Sequence, residues 1–543
     1  MSAEYAVNVR KVMPRPGVQM PDRPDLADRL LAPEAYPHAV VTPIRVVETH
    51  ISLVLLTGAY AYKIKKPVRL SFLDYSTLAK RLACCDEEVR LNRRYAPDLY
   101  LGVSTICGPA TAPRVDGGGE PIEYAVRMRQ FDPHDELGAL LATRGVDAAE
   151  LVALGEHVAR FHSSAAPVVA ESTFGSASAL RKVILDNFAS LRCLPEAAQW
   201  QETVQALEQW VELTHERLAT LIGVRRDAGL VRECHGDLHC GNVVRWEGSL
   251  TPFDGIEFDP ALRFIDVAND IAFLTMDLAM HGRNDLGRAL LQAWTQTLGD
   301  FGGLPLLPYF ETYRALVRAK VAALRAQQEQ PGSPERSLEC GTAVRYLAWA
   351  VGRARRPQPC LVVTCGLSGS GKTSLARAVA APLGALHVRS DVERKRLAGL
   401  GPLDDSRSPP DGGIYSRDFT ERTYARLQDC ARSALLGGES MIVDAAFLKR
   451  DERRDMLSLA RRMAVPFAIL HCVAPLAVLR ERLECRSRSG SDASEAGAAI
   501  LDRQPGYWEE FDDEERANVV AVDTTAPDAA KTALDELRAL GVG

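Results

Sequence analysis

At 543 residues the chain is too long for one ordinary hydrophobic core, so two or three domains are expected. Hydrophobic residues at 46% and charged residues at 25% describe a soluble globular protein. A formal charge of −6 argues against a dedicated nucleic-acid coat or a binder of anionic membranes, although a local basic groove is compatible with it.

Compartment follows from what the chain lacks. The twelve cysteines are scattered, with no CxxC pair, which suggests reduced thiols. Met1–Tyr5 has no basic-then-apolar leader pattern, and no uncharged apolar run approaches membrane-spanning length. A cytoplasmic protein without membrane partners is expected.

Residues 1–38 carry six prolines and little periodicity, so an irregular arm is expected, with a short helix at Asp25–Leu31. From about Val40 the pattern turns to strands, at Ile51–Leu56 and Ala59–Lys65, then Val103–Cys107 and Ile122–Met128. Lys63 and Lys65 stand two apart and so share a strand face. A helix over Ser76–Arg94 carries Glu87 and Glu88. After Phe131 the chain becomes mostly helical; Leu151, Leu154, Val158 and Phe161 repeat at helical spacing. Further helices are expected near 180–190, 200–222, 266–280, 284–298, 308–327 and 338–352. A small β-rich lobe (39–131) followed by a larger helical lobe (132–351) is the outline of a bilobal kinase. Gly352–Pro359, with two prolines and three arginines, reads as a linker to a second domain over 360–543.

Within the helical lobe, His235-Gly236-Asp237-x-x-x-x-Asn242 has the spacing of a kinase catalytic loop, and Asp254 follows after a short hairpin. Phosphoryl transfer demands charge and positioning. Asp237 would hold the attacking hydroxyl and accept its proton, while Asn242 and Asp254 supply hard oxygen ligands for Mg²⁺. A strand lysine should hold the nucleotide phosphates, fixed by a helix glutamate; Lys63 with Glu88 is the first choice, Lys65 and Glu87 the alternates. Cys234, His235, His239 and Cys240 lack the usual spacing of a zinc site. His162 reads as packing or bonding within its helix, Arg314 and Arg318 as a solvated face or a link to an acidic loop, and Cys84-Cys85 as helix packing.

The second domain opens with Cys360–Cys365, an apolar strand, then Gly366-Leu367-Ser368-Gly369-Ser370-Gly371-Lys372-Thr373 and the helix beginning at Ser374. Strand, glycine loop, Lys-Thr and helix form the context of a phosphate-binding P-loop. Its amides and helix N-terminus would cradle phosphates, Lys372 would reach the β- and γ-phosphates, and Thr373 would ligate Mg²⁺. Strands and helices then alternate: Ala385–Ser390, Ser440–Val443, Val465–Val473 and Asn518–Val522, with a closing helix at Ala529–Leu540, which predicts a parallel sheet. Asp444 ends a Walker B-like strand as a metal ligand, but Ala445 and Ala446 follow where a hydrolysing motor places a glutamate. Asp391, after the second of these strands, could accept a proton from an acceptor hydroxyl. Arg480, Arg482, Arg486 and Arg488 precede the Ser/Gly-rich stretch Ser487–Ser494, a composition suited to a lid; Arg482 and Arg486 are candidate phosphate contacts. The loop Gly401–Gly413 is expected beside the acceptor site.

His235–Asn242 with Phe253-Asp254-Gly255-Ile256-Glu257-Phe258-Asp259 resembles the aminoglycoside-phosphotransferase-like kinases. Coupled to the P-loop domain, the chain resembles bacterial bifunctional proteins that join such a kinase to a P-loop domain of the AAA or zeta-toxin type. The resemblance also touches Tyr62–Pro67, Glu88–Arg94 and Tyr313–Lys320, and implies ATP-dependent phosphotransfer without naming an acceptor. Cys240 stands where many relatives carry proline. The P-loop part is similar to small kinases such as gluconate kinase and the kinase part of polynucleotide kinases. The expectation is an enzyme with two nucleotide sites that uses ATP (or GTP) and Mg²⁺ to phosphorylate hydroxyls of small molecules. A nucleotide-sensing regulator, in which one domain controls the other, and a protein or nucleic-acid kinase are the alternatives. The acidic balance weighs against nucleic acid.

Overall fold

The computed structural model describes residues 26–49, 51–70, 73–193, 197–355, 358–409, 412–489, 492–495, 501 and 503–542. Two compact units emerge, one from residues 1–197 and 211–283, the other from 198–210 and 284–543. The boundary at Arg283 falls upstream of the Gly352–Pro359 stretch, whose first residues continue the helix Pro334–Ala354.

The first unit contains a six-stranded antiparallel sheet. From edge to edge it runs Arg45–Glu48, Ser52–Leu56, Tyr60–Lys65, Pro121–Arg129, Tyr100–Cys107, Arg114–Val115. Alternation along Tyr60–Lys65 explains its two faces. Ala61 packs with Cys85, Val89, Val126 and Met128, under the helix Leu78–Asn92. Tyr62 and Ile64 point the other way, into a cluster with Leu26, Leu30, Tyr36 and Ile44. The end of the expected arm is therefore core: its helix is Leu26–Arg29, and Leu26 and Leu30 are buried against the sheet. Thr77 caps the helix Leu78–Asn92 by accepting a bond from the Lys80 amide, so the helix starts there and carries Glu88 inward. Helices Ala148–Ser164, Ala177–Arg192 and Val267–Met280 lie in the same unit, with the hairpin Val243–Trp246 and Ser249–Pro252 following the His235–Asn242 loop.

The second unit is built on a five-stranded, fully parallel sheet ordered Ala385–Arg389, Ser440–Asp444, Leu361–Cys365, Phe467–Val473, Val519–Asp523. Leu361–Cys365 and Ala385–Arg389 are buried at every position, as a sheet covered on both faces requires. Helices Asn284–Leu298, Leu307–Gln328 and Pro334–Ala354 belong to this unit, which accounts for the boundary. Gln292 covers the edge strand: its amide accepts from His387 N at 2.7 Å and donates to His387 O at 2.7 Å. Arg353 and Arg288 both bind Glu439, just before the strand Ser440–Asp444. Of the two readings of Arg314, burial rules out the solvated face. The residue is 4% exposed and lies over the Tyr313 ring.

Among the described residues no helix is long and apolar enough to cross a membrane.

Candidate active sites

The His235–Asn242 loop is held by its own side chains and by one buried helix. Asn242 Nδ2 donates to Asp237 O at 2.9 Å and to Asp237 Oδ2 at 3.0 Å. This aims both side chains at one place and leaves the Asp237 carboxylate about a third exposed, at 36%. His235 is buried, with Nε2 bonded to Phe253 O at 2.8 Å; burial keeps its imidazole below the usual range. Asp270, which no sequence motif marks, accepts from the amides of His235 at 3.1 Å and Gly236 at 2.9 Å. Seven residues on, Asp277 accepts from the Cys240 amide at 2.9 Å. Two helical turns bring both acids to one helix face, so they hold the two ends of the loop. The available signal was two acids in Val267–Met280, a helix otherwise almost wholly apolar.

His162 is buried, in keeping with the packing reading, and its Nε2 meets Asp270, outside its own helix, at 3.0 Å. Cys234 groups with His162 and Asp270, and Cys240 with Asp277 and His281; the set Cys234, His235, His239 and Cys240 does not converge.

Beside this loop lies a buried ionic network. Lys63 Nζ donates to Glu88 Oε1 at 2.9 Å and also meets Asp254. Lys65 Nζ donates to the other oxygen of Glu88 at 2.7 Å and meets Glu257, which Tyr75 also binds. The choice between the two lysines therefore dissolves: both use Glu88. Glu87 turns away to Arg90 and Arg263. Burial alone would push the Glu88 carboxyl up, but Lys63 and Lys65 more than offset this and hold it at about 2. Burial likewise opposes the Lys63 ammonium, yet Asp254 and Glu88 keep it well above its ordinary value. Asp254 has φ 61°, a left-handed backbone. Its amide donates to the Tyr100 hydroxyl at 3.0 Å, which fixes the carboxylate towards Lys63. Glu257 lay within the motif read from sequence, but no local spacing revealed its partner 192 residues away.

In the second unit the P-loop follows the central strand. Gly366 has φ 141°, and an added Cβ would come within 2.5 Å of Cys472 O; Gly369 has φ 82° and faces Leu479 O at 2.7 Å. Only glycine fits both the backbone and the space. Lys372 Nζ donates to Gly366 O at 2.9 Å and Leu367 O at 2.8 Å. Burial pulls its ammonium below the ordinary range, opposed by Asp444 and Asp391. Thr373 Oγ1 donates to Asp444 Oδ2 at 2.6 Å, and His387 Nε2 lies 3.3 Å from the same oxygen. Burial would raise the Asp444 carboxyl, but His387, Thr373 and Lys372 together pull it to about 2. His387 was not singled out in the sequence, nor was Gln504, whose Oε1 accepts from the Ser368 amide at 2.7 Å.

Asp391 is the second residue of the helix Ser390–Leu397 and is partly buried. It bears electrostatically on both Lys372 and Tyr415, so it stands near both. Arg482 reaches the P-loop from behind, donating to Gly369 O at 3.3 Å and Thr524 Oγ1 at 2.9 Å. Arg486 acts instead on Asp492. Parts of the expected lid, Gly490 and Ser491 with the side chains of Ser487–Ser489, lie outside the described residues, as do Pro410 and Asp411 of the Gly401–Gly413 loop.

The described residues thus form one unit built on a six-stranded antiparallel sheet with helices, and a second built on a five-stranded parallel sheet whose central strand leads into a P-loop. Residues 361–511 match the family model described as "AAA domain". The chain is 31% identical over 476 residues to "Uncharacterized protein Rv2004c" of Mycobacterium tuberculosis, covering 88% of this chain and 93% of that protein. The chain belongs to the family of that mycobacterial protein. Among solved structures, a gluconokinase from Sinorhizobium meliloti 1021 is 25% identical and covers 34% of this chain and 95% of its own, with a TM-score of 0.26. Amicoumacin kinase hAmiN is 13% identical and covers 60% of this chain and 92% of its own, with a TM-score of 0.38.

Proposed function

We propose that the protein is a phosphotransferase of the kinase class, with one nucleotide site in each unit and hydroxyls of small molecules as acceptors. The observation that carries this reading is that each unit holds the same three elements: a partly buried lysine, a carboxylate suited to a metal, and a further carboxylate that would face the acceptor. In the first unit these are Lys63, Asp254 and Asp237; in the second, Lys372, Asp444 and Asp391.

The residues fit a magnesium–nucleotide. In the second unit Gly366 and Gly369 let the loop pack against the Cys472 and Leu479 carbonyls in its turned conformation, and Thr373 and Asp444 already meet as a pair of hard oxygen donors. Asn242 with Asp254 would hold the metal in the first unit, and Lys63 fixed by Glu88 the phosphates. When bound, Mg²⁺ neutralises phosphate charge. Asp237 and Asp391 position the acceptor hydroxyl at their respective sites. Each accepts its proton as the new oxygen–phosphorus bond forms and the bond to the nucleoside diphosphate breaks. Ala445 and Ala446 leave no carboxylate beside Asp444 to activate water, which favours transfer over hydrolysis. The test is mass spectrometry of a metabolite library after incubation with ATP and the full-length protein. A product heavier by one phosphoryl group supports the reading; its absence under all conditions contradicts it.

A further inference from the structure

Two groups of metal-competent side chains converge in the first unit, one at each end of the His235–Asn242 loop. In each, ligand atoms of a histidine, a cysteine and an aspartate lie within 4.8 Å of one another: His162, Cys234 and Asp270 in one, Cys240, Asp277 and His281 in the other. The two differ in access. His162, Cys234 and Asp270 are at most 1% exposed. Both Asp270 oxygens are engaged there, Oδ1 by the Gly236 amide and Oδ2 by the His235 amide and the His162 ring. That group is a closed, hydrogen-bonded anchor. In the second group Cys240 and Asp277 are buried as well, but His281 is only half-buried and gives the site a way in from solvent.

The local fold builds the second group. Asp277 and His281 stand four residues apart at the end of the helix Val267–Met280, where the His281 amide donates to Asp277 O at 3.1 Å, so both share one face. Cys240 opens the short turn Cys240–Asn242, and its amide donates to Asp277 Oδ2. That bond accounts for Asp277 as an anchor of the loop. It does not account for a sulfur and an imidazole gathered on the same carboxylate. A carboxylate that holds an amide with one oxygen is oriented to ligate with the other, as carboxylates around bound metals commonly are. His239 is directed elsewhere: its Nδ1 accepts from the Gly241 amide at 3.0 Å, and its Nε2 lies 3.4 Å from Asp237. Zinc bonds of about 2.0–2.3 Å set tetrahedral neighbours about 3.5 Å apart, which small side-chain rotations reach from the 4.8 Å bound. Sulfur with imidazole selects zinc over magnesium or calcium, which take oxygen, so this set differs in kind from Asn242 and Asp254.

We propose that Cys240, Asp277 and His281 bind a zinc ion, with water in the fourth position, and that the ion clips the Asn242 end of the loop to the helix Val267–Met280. Cys240 is two residues before Asn242, so the clip acts where the loop presents that side chain. The site is read from binding rather than turnover, and failure of the phosphotransfer reading would leave it standing.

The test uses full-length protein stripped with a chelator and titrated with Co²⁺. Visible bands report tetrahedral geometry, and a near-ultraviolet charge-transfer band reports sulfur ligation. One equivalent of Co²⁺ should bind with both signatures, and Zn²⁺ should displace it. Cys240→Ser should remove the charge-transfer band, and His281→Asn should weaken Zn²⁺ by about tenfold or more. No saturable binding, or a band that survives Cys240→Ser and answers instead to Cys234→Ala, would overturn the assignment. Should Cys240→Ser fail to fold, His281→Asn, at a half-buried helix end, carries the same decision: unchanged Zn²⁺ affinity would overturn it. Hydrogen exchange then decides the clip. Zn²⁺ should slow exchange of the Cys240–Asn242 amides about tenfold in the unsubstituted protein and not in His281→Asn. Exchange indifferent to bound Zn²⁺ would overturn the clip.

Discussion

The two lysine sites solve one physical problem in different ways. In the first unit, positive charge is stored in a side-chain network: Lys63 and Lys65 share Glu88, and Asp254 and Glu257 close it. In the second, the loop backbone does most of the shaping, and Lys372 rests on two carbonyls of its own loop. A site of mutually neutralised buried charges ties function to stability, because removing one member leaves another unpaired. A glycine loop separates them further, because its lysine donates its hydrogen bonds to neutral backbone carbonyls.

The largest effect should fall on the ionic network. Glu88→Gln leaves Lys63 and Lys65 without their shared counter-ion and should cost the first unit about 3–5 kcal/mol, read from denaturant unfolding. The same network sets an acid limb. The Glu88 carboxyl is depressed from 4.5 to about 2, so its contribution is fully present above pH 4.5 and is lost as pH falls towards about 2. Glu88→Gln should flatten that part of the stability–pH curve; an unchanged curve would break the contrast.

Lys372→Ala should do the reverse. Turnover dependent on the P-loop should fall about a hundredfold or more, which is about 2.7 kcal/mol or more of transition-state stabilisation, with unfolding little changed. Comparable destabilisation by the two substitutions would show that the sites do not differ as described.

Asp270→Asn should cost about 1–3 kcal/mol through the loop amides it serves. Product formation dependent on Asp237 should drop while P-loop turnover stays level, which labelled-ATP assays can separate. The smallest effect is expected from Gln504→Ala. It releases the Ser368 amide and should tighten nucleotide binding severalfold, in line with a hydrogen bond worth about 1 kcal/mol. Titration with a fluorescent ATP analogue reads this shift, and weaker binding would contradict it.

The contrast also explains what was legible in the sequence. The P-loop is contiguous, so Gly366–Thr373 declared its strand, turn and helix from spacing alone. Asp237 and Asn242 were equally legible, being five residues apart in one loop. The network was legible only in part: Lys63 with Glu88 was the first choice and the two pair, but Lys63 meets Asp254 across 191 residues and the alternation of a strand places Lys63 and Lys65 on the same face. Both lysines satisfied the pattern, and only folding showed that they share Glu88. Asp270, His387 and Gln504 act through partners that no local motif encodes. Arg314 misled because helical spacing cannot tell a solvated arginine from a buried one. The helices after Asn284 were placed correctly as elements, yet their side chains serve the parallel sheet: Gln292 on His387, and Arg288 on Glu439.

The central claim is that the two units carry separate phosphotransfer sites. It is tested most directly by product mass spectrometry with ATP and a metabolite library, comparing the unsubstituted protein with Asp237→Asn, Lys372→Ala and the double variant. The account predicts that each single substitution removes a different phosphorylated product and leaves the other, and that the double variant forms neither. Loss of every product from either single substitution, or loss of none from both, would contradict it.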